Sequence, residues 1–186
     1  MVKIPNIFVR DPENMRICLK RHNQICKWVF DGEGRAIRKY DGTCVMIKNG
    51  EYFKRRAVRS GRLVPANFIE VEYDPNTDKR VGWVEVSDNP NDKYHLEAFN
   101  SDLSDGTYEL VGPKIQNNPE NFDHHVLIKH SEAEEYSDIP RNFEGLKLWF
   151  RGRDIEGIVF HHPDGRMGKI KKTDFGLNRK PQGSIE

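Results

Sequence analysis

Residues 43–58 read TCVMIKNGEYFKRRAV, two strand-like runs that meet at Asn49-Gly50. Asn-Gly is the strongest short signal for a β-hairpin, because both residues tolerate the positive φ of a type I′ turn. A two-residue loop predicts these facing pairs: Lys48 with Glu51, Val45 with Lys54, and Thr43 with Arg56. Since side chains alternate between faces, Arg56 is expected to share a face with Thr43 and Asp41. Lys39 continues that face if the strand extends so far.

A second hairpin is predicted in residues 156–172, which read EGIVFHHPDGRMGKIKK. Asp164-Gly165 marks the turn between its two strands. A two-residue loop predicts two facing pairs: Ile158 with Lys171, and Phe160 with Lys169. Glu156, Lys169 and Lys171 then point to one side of the hairpin. A three-residue loop with a bulge reverses these faces.

Strand-like runs predominate in the rest of the chain, and helices are few. Further strands are predicted at residues 81–86, 106–111 and 125–128, and helices at residues 92–103 and 142–150. This pattern indicates an α+β fold with antiparallel sheets flanked by a few helices. With 186 residues and no internal repeat, the simplest organisation is a single domain over residues 1–186.

The composition, 36% hydrophobic and 32% charged residues, is typical of a folded globular protein. No run reaches the roughly 18 apolar residues of a membrane span, and the first residues lack the apolar stretch of a signal peptide. The cysteines, Cys18, Cys26 and Cys44, lack metal-ligand spacing, so neither a disulfide scaffold nor a cysteine zinc site is predicted. We therefore expect a cytoplasmic protein without a membrane partner.

Charge is unevenly distributed along the chain, although the formal net charge is only +1. Residues 1–62 carry 15 Lys and Arg against 6 Asp and Glu, and residues 166–186 carry 6 against 2. The segment between them carries 9 against 21. If the fold brings the basic segments together, they form a positive surface suited to polyphosphate or nucleic acid.

Four short segments that carry reactive side chains follow one another along the chain: Lys39-Tyr40-Asp41-Gly42, YELVGPK at residues 108–114, EGIV at residues 156–159, and Lys169-Ile170-Lys171. In this order they resemble the motifs of the covalent nucleotidyltransferases, which comprise ATP-dependent RNA ligases, DNA ligases and mRNA capping enzymes. Residues 38–43, 108–114 and 156–166, together with the opening IPNIFVRD at residues 4–11, are most similar to small RNA ligases. The resemblance covers nearly the whole chain and implies a nucleotidyltransferase (ATP-grasp-like ligase) domain.

The resemblance implies a role for each motif residue. Lys39 resembles the nucleophile of the first motif, and Glu109 the acidic residue that accepts hydrogen bonds from ribose hydroxyls. Lys169 and Lys171 resemble the paired catalytic lysines of the fifth motif. Glu156 resembles the acidic residue of the fourth motif, where a carboxylate near the reacting phosphorus implies a bridging Mg²⁺ or Mn²⁺. ATP and one of these ions are therefore the expected cofactors.

Two further residues are candidates for contacts with the nucleotide. Asp41 would either orient Lys39 or reach the metal through water, and the sequence does not choose between these roles. Arg56 is the candidate for the arginine that these families place after the first motif to contact ribose or a 5′-phosphate. The hairpin register favours Arg56 over Arg55, and Arg59 remains an alternative.

The chemistry of lysine supports these roles. A free lysine has a pKa of about 10.4, so its amine is protonated at neutral pH and cannot attack phosphorus. If Arg38, Lys169 and Lys171 converge on Lys39, their charges disfavour its ammonium form and so activate the amine. The same cations stabilise the negative charge that develops on the α-phosphate and the departing pyrophosphate.

The expected function is an ATP-dependent RNA ligase that joins RNA 5′-phosphate and 3′-hydroxyl ends through a lysyl-AMP and an adenylylated RNA, in RNA repair or sealing. Only 15 residues follow Lys171, too few for the oligonucleotide-binding domain that DNA ligases and capping enzymes append. The RNA would then be held by the basic face of the domain or by an accessory RNA-binding protein. The alternatives are a non-catalytic nucleic-acid-binding domain of the same fold and a guanylyltransferase that uses GTP.

Overall fold

The computed structural model describes residues 2–179 of the chain. These residues form two compact units, which we call the central unit (residues 2–3 and 41–132) and the terminal unit (residues 4–40 and 133–179). Both contain antiparallel sheets and short helices, which confirms the predicted α+β class. The organisation as a single domain over residues 1–186 stays a prediction. Residue 1 and residues 180–186 of that range lie outside the described residues. In residues 2–179, no helix is long and apolar enough to cross a membrane.

The strands of the described residues are β1 (Phe8–Arg10), β2 (Cys18–His22), β3 (Arg35–Lys39), β4 (Thr43–Lys48), β5 (Glu51–Val58), β6 (Ile69–Asp74), β7 (Lys79–Glu85), β8 (Gly106–Val111), β9 (Val126–Lys129), β10 (Gly157–His161) and β11 (Met167–Lys171). The helices are α1 (Lys27–Phe30), α2 (Lys93–Ala98) and α3 (Phe143–Arg151). Short 3₁₀ turns occupy Gln24–Cys26, Pro90–Asp92, His130–Glu132 and Lys172–Phe175.

The central unit is built on a six-stranded antiparallel sheet with the strand order β6-β7-β5-β4-β8-β9. The β4–β5 hairpin turns at Asn49 and Gly50, whose φ angles of 53° and 77° are those the Asn-Gly turn requires. The predicted pairs of Lys48 with Glu51 and of Val45 with Lys54 are confirmed.

The predicted pair of Thr43 with Arg56 is wrong. The β4–β5 ladder ends at the pair of Val45 with Lys54. On their other sides, Thr43 pairs with Leu110 of β8 and Arg56 pairs with Gly82 of β7. Lys39 does not extend this strand either, since it ends β3, which belongs to a different sheet.

One face of the six-stranded sheet carries the core of the central unit. Buried side chains on β4, β5 and β8, together with partly buried residues in and after α2, form this core: Val45, Ile47, Tyr52, Tyr108, Leu110, Tyr94 and Phe99. Helix α2 is shorter than the predicted helix over residues 92–103. It ends at Ala98, and the Asn100 side chain then accepts a hydrogen bond from the backbone N–H of Asp102, which favours a turn over a further helical turn.

The terminal unit contains a three-stranded sheet with the order β11-β10-β3 and a two-stranded ribbon of β1 and β2. Ile158, Phe160 and Ile170 are completely buried on one face of the three-stranded sheet and belong to the same core as Leu146 and Phe150 of α3. Burying each such side chain stabilises the fold by about 1.5–3 kcal/mol. The opposite face of the sheet is therefore the one available for polar side chains.

Helix α3 confirms the helix predicted over residues 142–150. Asn142 is its N-cap, and its side chain accepts a hydrogen bond of 2.8 Å from the backbone N–H of Gly145. Leu146, Trp149 and Phe150 recur at helical spacing and are buried, whereas Leu148 is 67% exposed. The hydrophobic stripe of α3 thus faces the core of the terminal unit.

The predicted two-residue register of the β10–β11 hairpin is wrong by one residue. Lys171 pairs with Gly157 and Lys169 with Val159, not with Ile158 and Phe160. The backbone N–H of His162 donates to the Arg166 carbonyl, which leaves a three-residue loop, and Gly165 has the positive φ of 91° that such a loop places at its end. The three-residue alternative is therefore the one the protein adopts.

Candidate functional site

Three lysines line one face of the three-stranded sheet in the terminal unit. Gly157 of β10 pairs with Lys39 of β3 on one side and with Lys171 of β11 on the other. Directly opposed residues place their side chains on the same face, and Lys169 shares that face because it is two residues before Lys171. The predicted convergence of the lysines on one side of the sheet is thus present, in the corrected register.

Glu156 joins these lysines from outside the ladder. It precedes β10, and its two carboxylate oxygens contact different ammonium groups, Oε2 that of Lys39 and Oε1 that of Lys171. The Glu156 side chain is only 12% exposed, whereas those of Lys39 and Lys171 are 22% and 33% exposed, so the shared carboxylate is better shielded from water than the ammonium groups are. One carboxylate thereby holds two lysines side by side.

Lys169 is the lysine whose acidity the surroundings change most clearly. Burial, followed by the positive charges of Lys171 and Lys39, lowers its pKa to about 8, and the charge of Glu156 opposes this shift. The cluster therefore destabilises added positive charge at Lys169. With this pKa, the Lys169 side chain is mainly protonated near neutral pH and loses its proton under modestly alkaline conditions.

A buried carboxylate supports strand β11 beneath the lysines. Asp174 is almost fully buried, and its Oδ2 accepts hydrogen bonds from the backbone N–H of Lys171 at 2.8 Å and from Asn6 Nδ2 at 2.6 Å. Its Oδ1 lies 2.7 Å from Arg10 Nη1. On the other side of β11, Lys169 and Pro5 are joined by a backbone hydrogen bond of 2.8 Å. The segment that opens the chain thus fixes the position of β11.

Arg38 does not join the lysines, contrary to the expectation that it would activate Lys39. It precedes Lys39 in β3 and pairs with Ile158, so it lies on the opposite face of the sheet. Its Nη1 donates to Glu134 Oε2 at 3.0 Å, and its guanidinium lies over the Tyr40 ring. The cations that surround Lys39 on its own face are those of β11.

Glu109, Asp41 and Arg56 belong to the central unit. Glu109 lies on β8, where its Oε1 accepts a hydrogen bond of 3.2 Å from the backbone N–H of Gly42, and its Oε2 lies 3.0 Å from His130 Nε2. A Cβ atom on Gly42 would lie 2.2 Å from the Leu110 carbonyl oxygen. The glycine of the first motif is therefore required so that the backbone can pass close to β8.

Asp41 follows β3 in a bend, and its backbone N–H donates to Glu120 Oε1 at 2.8 Å. This contact positions the backbone, so both roles considered for the Asp41 side chain stay predictions. Arg56 is exposed on β5. Because Cys44 pairs with Glu109 and Met46 with Phe53, alternation places Arg55 on the face of Glu109 and Arg56 on the opposite face.

Arg55 has a further distinguishing property. Its Nε atom is buried and has no hydrogen-bond partner within the described structure. A buried donor without a partner costs roughly 1–3 kcal/mol, so it is suited to a ligand that supplies an acceptor. The premise that favoured Arg56, a face shared with Asp41, is wrong, since Asp41 lies outside the strands.

Several residues around the two clusters were not singled out from the sequence. They are Asn6 and Asp174 near β11, and Cys44, Glu120 and His130 in the central unit. Asn6 lies within the opening segment that resembles small RNA ligases, which was a usable signal. Asp174 bonds Lys171 locally but meets Asn6 and Arg10 across the chain, and Cys44, Glu120 and His130 meet their neighbours only through contacts between distant segments.

The comparisons with known proteins agree with the motifs. A profile of the RNA ligase 1 family matches residues 76–185. A curated RNA ligase 1 of Danio rerio is 33% identical to this chain over 86 residues, and that of Pongo abelii is 37% identical over 86 residues. Each match covers 41% of this chain. The profile match includes Glu109, Glu156, Lys169 and Lys171, whereas Lys39 precedes it.

The chain matches only part of each relative. The aligned region spans 26% of the length of the Danio rerio protein and 26% of that of the Pongo abelii protein. The family profile, in contrast, extends over more than half of the present sequence. The chain therefore belongs to the RNA ligase 1 family.

Proposed function

We propose that this chain is the nucleotidyltransferase part of an ATP-dependent RNA ligase, with Lys39 as the nucleophile. The observation that carries the proposal is the cluster in which Lys39, Lys169 and Lys171 share one sheet face around Glu156. Three ammonium groups against one carboxylate leave an excess of positive charge, which suits a triphosphate. Membership of the RNA ligase 1 family supports the same assignment.

The first step proposed is attack of the Lys39 Nζ on the α-phosphorus of ATP. A phosphorus–nitrogen bond forms, the bond from the α-phosphorus to its bridging oxygen breaks, and pyrophosphate leaves. The amine must lose a proton, and Glu156 Oε2, which already contacts it, is the acceptor in reach. Lys169 and Lys171 bind the phosphate oxygens and stabilise the charge that develops on them.

Two further transfers complete the proposed reaction. An oxygen of the RNA 5′-phosphate attacks the adenylyl phosphorus, the phosphorus–nitrogen bond breaks, and the Lys39 amine regains a proton. The oxygen of the RNA 3′-hydroxyl then attacks the activated 5′-phosphorus, the anhydride bond to the adenylyl group breaks, AMP leaves, and the hydroxyl proton passes to solvent. Glu109 is proposed to bind the ribose hydroxyls, because a carboxylate accepts hydrogen bonds from them.

The donor set also fits an accompanying Mg²⁺ or Mn²⁺. In nucleotide-using enzymes Mg²⁺ is held by one or two carboxylates together with water and substrate phosphates. Glu156 fits as a single protein ligand of this kind, once phosphate oxygens compete for the ammonium groups that now contact it. Such an ion would supply neutralisation of the charge on the α-phosphate.

The decisive experiment is the intact mass of the protein after incubation with ATP and Mg²⁺. The protein is first treated with pyrophosphate, which removes any adenylyl group already present. We expect the mass of one adenylyl group to be gained, and to be lost in Lys39→Ala but retained in Lys48→Ala, which changes an exposed lysine of β4. An adduct that survives in Lys39→Ala, or no adduct at all, contradicts the proposal.

Parallel reactions separate the alternatives. A guanylyl adduct with GTP in place of the ATP adduct identifies a guanylyltransferase, and salt-sensitive RNA binding without any adduct identifies a non-catalytic binding domain. The third transfer does not use the Lys39 amine. Lys39→Ala is therefore expected to join RNA supplied with an adenylylated 5′ end, as the wild type does. Failure of this reaction in both Lys39→Ala and the wild type argues against RNA as the acceptor.

A further inference from the structure

A second group of reactive side chains lies on the face of the central sheet that carries Glu109. Cys44 of β4 and Glu109 of β8 are directly opposed in the ladder. His130 begins the 3₁₀ turn that follows β9, which is the next strand of the sheet. One ligand atom from each of these three residues lies within 4.8 Å of the other two. A thiol, a carboxylate and an imidazole from three neighbouring elements thus lie close together.

The hydrogen bonds around His130 give its ring a defined orientation. Nδ1 lies 2.9 Å from Thr107 Oγ1, and Nε2 lies 3.0 Å from Glu109 Oε2. If Nδ1–H donates to Thr107, the Nε2 lone pair points at the carboxylate, and a bound cation would bridge these two acceptors. In the other tautomer the Thr107 hydroxyl donates to Nδ1 and Nε2–H donates to Glu109, and a cation would replace that proton. Metal-binding histidines are commonly held in this way by an acceptor on the second ring nitrogen.

The donor types determine which cation suits the group. Mg²⁺ and Ca²⁺ prefer oxygen ligands only, whereas Zn²⁺ is bound by Cys sulfur, His nitrogen and carboxylate oxygen together. The Glu109 side chain is 12% exposed and that of His130 26% exposed, so the group is shielded and still accessible. Three protein ligands leave one position of a tetrahedral Zn²⁺ free.

We propose that Cys44, Glu109 and His130 form a three-ligand Zn²⁺ site in the central unit. The cysteine spacing alone does not predict this site, because its ligands come from β4, β8 and the 3₁₀ turn after β9. A consequence rests on the proposed function: if Glu109 also binds the ribose of ATP, Zn²⁺ and nucleotide compete for one carboxylate. Zinc then inhibits formation of the lysyl-AMP, and the site makes the ligase sensitive to the free zinc concentration.

Cobalt is the probe for the site, since Co²⁺ replaces Zn²⁺ and its bond to a thiolate gives a near-ultraviolet charge-transfer band. We titrate the metal-free full chain with Co²⁺ and expect this band to saturate at one equivalent and to disappear when Zn²⁺ is added. The band is expected to be lost in Cys44→Ser and in His130→Gln. Cys18→Ala, which removes a thiol of the terminal unit, is the matched control and is expected to keep it.

Thr107→Val tests the positioning role of the hydroxyl. Removing a hydrogen-bond partner of a metal-binding histidine weakens metal affinity by roughly 10–100-fold, and we expect a loss in that range. A band that remains in Cys44→Ser, or no thiolate band in a folded wild-type protein, overturns the proposed site. Circular dichroism of each variant establishes that it is folded.

The inhibition is measured separately, as the ratio of adduct formed with and without Zn²⁺ at fixed ATP. We expect this ratio to fall in the wild type, to recover when ATP is raised, and to stay near one in Cys44→Ser. Inhibition that ATP does not relieve overturns the competition for Glu109. If the wild type forms no adduct even without Zn²⁺, the proposed ligase function fails while the cobalt result still decides the metal site.

Discussion

Lys39 and Lys171 flank the same residue, Gly157, in the three-stranded sheet of the terminal unit. A Cβ atom on Gly157 would meet the Ile170 carbonyl oxygen and the Lys171 Cα, so the glycine lets β10 lie close to the backbone of β11. Both ammonium groups reach the carboxylate of Glu156, the residue immediately before this glycine. Glu156 therefore supplies the counter-charge for the paired lysines, and Gly157 allows the close approach of the strand that carries Lys171.

Replacing Gly157 tests this relationship directly. A Cβ atom there would lie 2.3 Å from the Ile170 carbonyl oxygen, a contact with backbone that only a shift of β11 relieves. We expect Gly157→Ala to lower the free energy of unfolding by about 1–3 kcal/mol, as overpacking does, and to reduce lysyl-AMP formation. Chemical denaturation and intact mass measure the two effects.

Gly152→Ala is the matched control, because nothing lies within 4 Å of a Cβ atom at that position. It is expected to leave both measurements close to those of the wild type. If Gly157→Ala behaves like Gly152→Ala, the close packing of β10 against β11 is not what holds the lysines together.

The lowered pKa of Lys169 predicts how the stability of the folded protein depends on pH. Its pKa is about 8 in the folded protein against 10.5 for a free lysine, so between these values the unfolded chain binds more protons than the folded one. Its contribution to the free energy of unfolding therefore rises with pH across this window. The free energy of unfolding of Lys169→Met minus that of the wild type is therefore expected to be larger at about pH 7 than at about pH 9.5.

The comparison is made by urea denaturation at both pH values, with the exposed Lys79→Met as the control. The control is expected to show the same difference from the wild type at both pH values. An equal difference for Lys169→Met as well would mean that burial and the neighbouring lysines do not disfavour its protonated form.

The contacts of the buried Asp174 predict that its replacement lowers the stability of the fold, although Asp174 does not touch the reacting groups. Asp174→Asn removes the charge that faces Arg10 and one acceptor for the Lys171 backbone and Asn6. Breaking hydrogen bonds to a buried charged group costs on the order of 2 kcal/mol, and we expect a loss of that size in thermal or chemical unfolding. Glu70→Gln, in the solvent-exposed pair with Arg80, is expected to change the stability little. Similar losses in both variants would contradict the anchoring role of Asp174.

Arg55 and Arg56 are neighbours that point to opposite faces of the central sheet. Arg55 shares the face of Glu109 and has a buried Nε without a partner in the described structure, whereas Arg56 is exposed. We expect Arg55→Ala to weaken the apparent affinity for ATP in adduct formation by about tenfold or more, which corresponds to roughly 1.4 kcal/mol of binding free energy. Arg56→Ala should have a smaller effect. Titrating ATP in the mass assay ranks the two, and a larger loss in Arg56→Ala would restore the original candidate.

Local sequence patterns were sufficient for much of the fold. The Asn49-Gly50 turn, the strand at Gly106–Val111 and helix α3 with its Asn142 cap all follow from backbone preferences and hydrophobic periodicity within a few residues. The order of the motif residues along the chain also pointed to one family, because that order does not depend on how the strands pair.

The tertiary structure decided which side chains meet. The loop at Asp164-Gly165 closes with one residue more than the shortest turn, and that single residue changes every pair in the β10–β11 ladder. The neighbours of Thr43, Arg56 and Cys44 come from strands tens of residues away. By itself the sequence determined the reactive residue types, their order and the local turns. Only long-range strand pairing decided that Lys39 and Lys171 share Glu156 and that Cys44 meets Glu109 and His130, because such pairing depends on the packing of the whole sheet.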